Sequence, residues 1–299
     1  MNILITGGTG MIGSALVKKL QDANHEIRIV SRSKSDNPQS YIWDIKNGEI
    51  DEKVFQDLDG IIHLAGASIG ERWTDEYKKE LYSSRIDSAN LLLRTCEKLQ
   101  NKLKFFISAS GVNFYGTFTS DQILTEKDGI IQPDFLAKLS SDWEEAAYEF
   151  SEIADRIVCV RTAMVLAKDG GSFPMLKKVA DLNIASPVGS GKQWMNWIHI
   201  ADLVNMYQYF VENKKTNGNY NAVADEVVQN KIFMKNLAKK SGKFFLPIAV
   251  PSFVLKSIFG EMSSIILEGT RASNAKIKND GFNFLYSNLD TALENLIKK

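Results

Sequence analysis

Apolar residues fall into short runs in the first half of the chain, at residues 3–6, 27–31, 41–43, 61–64, 105–108 and 157–161. Continuous Val/Ile/Leu runs of this length predict strands buried on both faces. Between them, residues 11–20, 75–99 and 135–150 repeat their apolar positions at helical intervals, which predicts crossover helices. Strand–helix alternation predicts an α/β fold, a Rossmann-type doubly wound parallel sheet. After Arg161 the pattern changes. Gly170-Gly171, Pro174, Pro187 and Gly189-Ser190-Gly191 interrupt the chain, a strand-to-helix pattern resumes at 198–210, and the sequence is mostly helical from Val228. The expected division is a dinucleotide-binding domain of residues 1–166 plus about 198–224. A smaller, mostly helical C-terminal substrate lobe takes about 167–197 plus 225–299.

The turn after the first strand reads Thr6-Gly7-Gly8-Thr9-Gly10-Met11-Ile12-Gly13. A G-x-x-G-x-x-G pattern is weak alone, but this one leaves a buried strand and opens a helix. Glycine there permits the turn, lets a pyrophosphate approach the main chain and lets helix pack on strand. The free amides and positive end of the helix then favour phosphate. An NAD-preferring site carries an acid at the end of the second strand; this strand ends in Ser31-Arg32. A hydroxyl beside a guanidinium suits a 2′-phosphate, so NADP(H) is expected over NAD(H).

Composition narrows the field further. Lys+Arg and Asp+Glu number 36 each, leaving no basic excess for a nucleic-acid partner. No apolar stretch reaches the ~20 residues of a membrane span, and the N-terminus runs straight into a strand without a signal-like segment. The expectation is a cytoplasmic protein with a small-molecule substrate, no nucleic-acid or membrane partner, and a monomeric or homodimeric state. Cys96 and Cys159 sit in apolar patterns as core residues, and the scattered His25, His63 and His199 form no metal motif.

These residues, with Asp44 after the third strand and Ile62-His63-Leu64-Ala65-Gly66 after the fourth, resemble the extended short-chain dehydrogenase/reductase superfamily. Arg161-Thr162-Ala163-Met164-Val165-Leu166, Gly189-Ser190-Gly191-Lys192-Gln193-Trp194, Trp197-Ile198-His199-Ile200 and Leu267-Glu268-Gly269 narrow the match. They resemble an atypical, epimerase-like branch with its own C-terminal domain. The resemblance implies cofactor contacts from Gly7, Thr9, Gly10, Met11, Ile12 and Gly13 in the glycine turn, and from Ser31 and Arg32 at the 2′-phosphate. Asp44 would edge the adenine, while Leu64, Ala65 and Gly66 would line the ribose and pyrophosphate. Glu80 and Arg85 match further cofactor positions, and Val165 would lie near the nicotinamide. Spacing alone reads Glu80 and Arg85 as an ordinary solvated helix face.

Members of that superfamily use Ser or Thr after the fifth strand and a Tyr-x-x-x-Lys pair on the next helix, whose lysine lowers the tyrosine pKa for proton transfer. Ser110 matches the serine, with a turn-capping role as its alternative. The pair is missing: Leu136 stands at the tyrosine position and Ser140 at the lysine position. Tyr115 is a substitute acid/base or a packing residue; Glu80 paired with Arg85, and His199, are weaker substitutes. Trp73, Trp194 and Trp197 form either an aromatic lid or lobe packing. Two functions follow: an NADP(H)-dependent oxidoreductase or epimerase acting on a small polar or nucleotide-linked substrate, or a catalytically silent NADP(H)-binding regulatory module.

Overall fold

The Val/Ile/Leu runs become the interior of one eight-stranded sheet in the computed structural model, which describes residues 1–33 and 40–298. Its strands are β1 (Asn2–Thr6), β2 (Glu26–Ser31), β3 (Ser40–Asp44), β4 (Glu49–Ile50), β5 (Gly60–His63), β6 (Phe105–Gly111), β7 (Ile157–Thr162) and β8 (Gly218–Ala222). They lie in the order β8-β7-β6-β5-β1-β2-β3-β4. All neighbours are parallel except the edge pair β3–β4. Chain order reverses beside β1, so the carboxyl ends of β1 and β5 open a crevice, the usual ligand position in such sheets.

Helices cover both faces because the strands are apolar on both. On one face, Leu16 and Leu20 of α1 (Met11–Asp22) join Leu203, Met206 and Phe210 of the helix Ile200–Glu212 against Ile3, Ile5 and Ile107. On the other, Leu92 and Cys96 pack with Ala147 and Phe150 against Leu4, Ile61 and Phe106. Cys96 and Cys159 are free and buried, and burial pushes the Cys96 thiol up to about 12. A third cluster, including Phe173, Trp197, Phe233 and Leu293, is the core of the smaller lobe.

Two elements depart from the sequence pattern. The helix expected over 75–99 is divided: α2 (Asp75–Tyr82) and α3 (Ser88–Lys98) are joined by a π turn at Ser83–Asp87. Such bulges insert an extra residue and re-aim side chains; here Arg85 and Ile86 turn inward. The antiparallel edge strand β4 was too short to show periodicity in sequence. Helix α4 (Phe135–Tyr148) starts where Asp134 accepts a hydrogen bond from the Ala137 amide at 2.9 Å, satisfying one of the orphan donors at a helix start. Helix α1 differs: Gly10 is its cap, and among the described residues no side chain accepts from its first amides.

Candidate functional site

The glycine turn is built for close approach. Gly7 has φ +68°, a left-handed conformation natural to glycine. A Cβ on Gly7 would sit 2.9 Å from the Leu64 carbonyl carbon, and one on Gly13 would sit 2.1 Å from the Gly7 carbonyl oxygen. A side chain at Gly7 would collide with the backbone that follows β5, and one at Gly13 would push α1 off the glycine turn. The turn itself closes with the Gly10 amide donating to the Gly7 oxygen at 3.0 Å. Gly10 and Thr9 are exposed, and Met11 and Ile12 are half-buried at the open start of α1.

A polar pin holds the opposite wall. The buried Thr6 hydroxyl accepts from the Leu64 and Ala65 amides, each at 3.1 Å, and lies 2.8 Å from His63 Nδ1. With both amides donating to its oxygen, the hydroxyl proton goes to Nδ1, and Nε2–H donates to the Arg85 carbonyl at 3.0 Å. Burial lowers the His63 pKa to about 4, so the ring is neutral near pH 7. The ends of β1 and β5 and the π turn are thus tied together. Neither Thr6 nor His63 stood out in the sequence, because the partners are 57 residues apart.

The remaining cofactor candidates are distributed around this crevice. Arg85 is 7% exposed, donates to the Leu81 and Ala67 carbonyls at 3.0 and 2.9 Å, and stacks on Trp143. A Cβ on Gly66 would meet its guanidinium at 2.9 Å. Among the described residues no carboxylate pairs with it, and burial lowers its pKa to about 10, leaving it charged at neutrality. Arg85 is therefore not on a solvated face. Glu80 is exposed and makes no ion pair with it, so the Glu80–Arg85 proton-transfer pair is corrected. Ser31 is half-buried and donates to the Ser33 carbonyl at 2.6 Å, while Arg32 is exposed at the end of β2. Asp44 accepts from the Asn47 amide at 3.1 Å and side chain at 2.8 Å, which holds its carboxyl below the usual range. Val165 pairs with Ile198, and its carbonyl lies beside Gly171 in a tight turn that also meets Met11.

The two catalytic candidates are committed elsewhere. Strand pairing aligns Ser110 with Arg161 and Arg161 with Asn221, one row across β6, β7 and β8. Glu144 of α4 accepts from Arg161 through both oxygens at 2.8 Å, and Ser110 donates to the same carboxylate at 2.7 Å. Tyr115 is fully buried, and its hydroxyl is within hydrogen-bond distance of the Thr125 carbonyl at 3.0 Å and Asn221 Oδ1 at 2.9 Å. Burial raises its pKa further. Tyr115 as an entering acid/base is corrected: a desolvated phenol bonded to internal partners is a packing residue. Ser110 is likewise corrected from a free substrate donor to the third member of a buried ion-pair cluster.

Leu136 and Ser140 are buried on α4, and Ser140 Oγ lies 3.7 Å from where a Gly111 Cβ would stand. Leu136 lines a cleft of about 540 Å³ with Trp73, Phe135, Leu267, Lys256 and Glu261. The position of the usual phenol is apolar. Across the cleft, Lys78 pairs with Glu261 at 2.6 Å and Thr119 donates to Glu268. Trp73 borders the cleft, but Trp197 is fully buried with its indole donating to the Glu226 carbonyl, and Trp194 lies under Arg271. Only Trp73 keeps a place in a lid. His199 caps the helix Ile200–Glu212 by accepting from the Ala201 amide at 3.1 Å, and burial lowers its pKa to about 4. It holds the lobe junction.

A parallel sheet with a glycine-opened helix at its switch point and a lobe over its carboxyl edge is the short-chain dehydrogenase/reductase architecture. The family model for the NAD dependent epimerase/dehydratase family matches residues 3–223, and a domain of unknown function, DUF1731, matches 250–296. The chain belongs to the NAD dependent epimerase/dehydratase family. It is 36% identical over 301 residues to an epimerase family protein of Staphylococcus aureus (strain N315), covering 99% of both chains. An epimerase family protein of Staphylococcus haemolyticus is 35% identical over 297 residues, 98% of both. Human epimerase family protein SDR39U1 (isoform 2), solved with NADPH, superposes with a TM-score of 0.89 at 29% identity over 99% of both chains. A nucleoside-diphosphate sugar epimerase from Corynebacterium glutamicum gives a TM-score of 0.81 at 29% identity; the match covers 99% of this chain and 57% of that one.

Proposed function

We propose that this chain binds NADP(H) in the crevice between the glycine turn and residues 64–66, and works as an oxidoreductase or epimerase on a small polar or nucleotide-linked substrate in the adjoining cleft. The observation that carries the reading is the cradle itself: Gly7 and Gly13 exclude any Cβ, and among the described residues no side chain occupies the first amides of α1. Those free amides fit a pyrophosphate. Arg32 supplies the charge for a 2′-phosphate, and Arg85 adds a buried cation behind Gly66. The SDR39U1 complex with NADPH supports the same choice. Bound there, the nicotinamide would supply or accept hydride. The chain's own part is to orient that ring from the Val165 side, to exclude water with Trp73 and Leu136, and to hold the lobes through Lys78 and Glu261. The domain limits in this reading are 1–166 plus about 198–224 for the cofactor, with the rest for the substrate, in a cytoplasmic protein.

A second reading, an NADP(H)-binding regulatory module without turnover, is favoured by one observation. Leucine replaces the phenol at position 136, and both Tyr115 and Ser110 are committed to internal partners. Fluorescence titration separates cofactor choice first. Arg32→Ala is expected to weaken NADPH binding at least about tenfold, the equivalent of one charge-assisted contact, while leaving NADH nearly unchanged. Equal losses for both cofactors overturn the 2′-phosphate assignment. Turnover of NADPH with any member of a carbonyl and sugar-nucleotide panel decides for the enzyme; tight binding without turnover decides for the module.

A further inference from the structure

Between residues 227 and 260 the chain carries six lysines, Lys231, Lys235, Lys239, Lys240, Lys243 and Lys256, and neither an acid nor an arginine. The rest of the protein must offset this, because the whole chain is formally neutral. Among the described residues only Lys240 of the six is ion-paired, to Asp290 and Glu294. The same segment presents large apolar side chains to solvent: Phe244 is 81% exposed, Ile248 68%, Phe253 72% and Ile258 57%.

Their placement follows from backbone pairing. Residues 244–250 run beside 183–189, with the Leu246 amide donating to the Ala185 carbonyl at 2.8 Å and Val250 to Pro187 at 2.8 Å. Ala185 and Phe245 are bridged partners that turn toward the lobe core. Extended chain alternates its faces, so Phe244, Leu246 and Ile248 project outward beside Ile184. Pro251 then starts the helix Ser252–Phe259, no residue of which is fully buried. Aliphatic and aromatic tips of this density, unfilled by the chain itself, mark an interaction surface.

Lysine is depleted in protein–protein interfaces and arginine enriched. A segment whose only charges are lysines and which carries protruding Phe and Ile has the composition that settles among lipid headgroups. No helix among the described residues is long and apolar enough to cross a membrane, so the contact is peripheral. We infer that residues 239–258 dock this lobe on an anionic lipid surface, with Phe244, Ile248 and Phe253 entering the headgroup layer and Lys239 and Lys243 facing the phosphates. The inference replaces the sequence expectation of no membrane partner and does not depend on the proposed chemistry. Because Lys256 of the same helix lines the cleft, docking would set the cleft mouth close to the lipid surface.

The test is flotation of the full chain with vesicles of phosphatidylglycerol and phosphatidylcholine in equal parts, against phosphatidylcholine alone. Binding is expected on the anionic vesicles, weaker by about tenfold or more on neutral ones, and falling with added salt. Lys239→Gln with Lys243→Gln should weaken it about fivefold per lysine. Phe244→Ser with Phe253→Ser should weaken it at least about tenfold. Both double variants change exposed positions, and an unaltered thermal transition will show that they fold. Absence of binding to anionic vesicles, or binding indifferent to the Phe244/Phe253 change, overturns the inference. So does a dimer in sedimentation equilibrium that Phe253→Ser dissociates, because a second copy would then cover this face.

Discussion

Replacing Thr6 by valine tests the polar pin that joins the two walls of the crevice. Valine keeps the shape of threonine and removes only the hydroxyl. In the native protein that hydroxyl is fully buried, accepts from the Leu64 and Ala65 amides and donates to His63 Nδ1. The Leu64 amide has a second acceptor, the Thr6 carbonyl at 3.2 Å, so it survives the change. The Ala65 amide and His63 Nδ1 lose their partner at a depth water does not reach. At about 1–3 kcal/mol for each of the two buried polar groups left unpaired, the expected loss is about 2–6 kcal/mol. Urea unfolding at pH 7 reads this as a lower midpoint at unchanged slope. Thr6→Ser is the control, since it keeps the hydroxyl and loses one methyl, about 1 kcal/mol. Valine should therefore be the worse substitution. A loss below about 0.5 kcal/mol for Thr6→Val, the scatter of unremarkable surface changes, refutes the pin. So does serine proving worse than valine.

The Glu144 cluster and the buried histidines give two further outcomes. Glu144→Gln leaves the Arg161 guanidinium, 1% exposed, without a counter-charge, and should lower unfolding stability by about 3–5 kcal/mol. Ser110→Ala removes one hydrogen bond to that carboxylate and should lower it by only about 1–3 kcal/mol; equal losses would count against the ion pair as the main element. His63 and His199 both have folded pKa values lowered to about 4 from 6.5, with burial as the leading cause. The unfolded chain therefore takes up these protons first. Their contribution is intact above pH 6.5 and is lost as pH falls from 6.5 toward 4. For His63 that amounts to about 2 kcal/mol between pH 6.5 and 5, at 1.36 kcal/mol per unit. Urea midpoints measured at pH 7, 6 and 5 check it, and a flat profile contradicts the neutral buried ring.

What was legible in the sequence is what the backbone demands locally. The strand runs at 3–6, 27–31, 61–64, 105–108 and 157–161 lie within the observed strands or overrun an end by a single residue, because burial on both faces leaves few polar interruptions. The glycine turn was legible for the same reason: its spacing is a steric requirement, visible as the 2.1 Å approach a Gly13 side chain would make. The surroundings of Ser110 and Tyr115 were not legible, and the reason is the order of the strands. Placing β7 between β6 and β8 sets Ser110, Arg161 and Asn221 in one row. Arg161 then draws Glu144 from α4, Glu144 takes the Ser110 hydroxyl, and Asn221 takes that of Tyr115, 106 residues away. No spacing rule links those positions. The π turn is a similar case: residues 75–99 keep helical periodicity throughout, yet His63 from another strand holds the Arg85 carbonyl and Arg85 turns inward. A motif can thus mark where a cofactor fits, while the availability of a hydroxyl or phenol for chemistry is decided by distant partners. In this chain those partners consume both candidates, while Arg85, with no carboxylate partner among the described residues, remains a buried cation beside Gly66, and Lys256 lines the cleft.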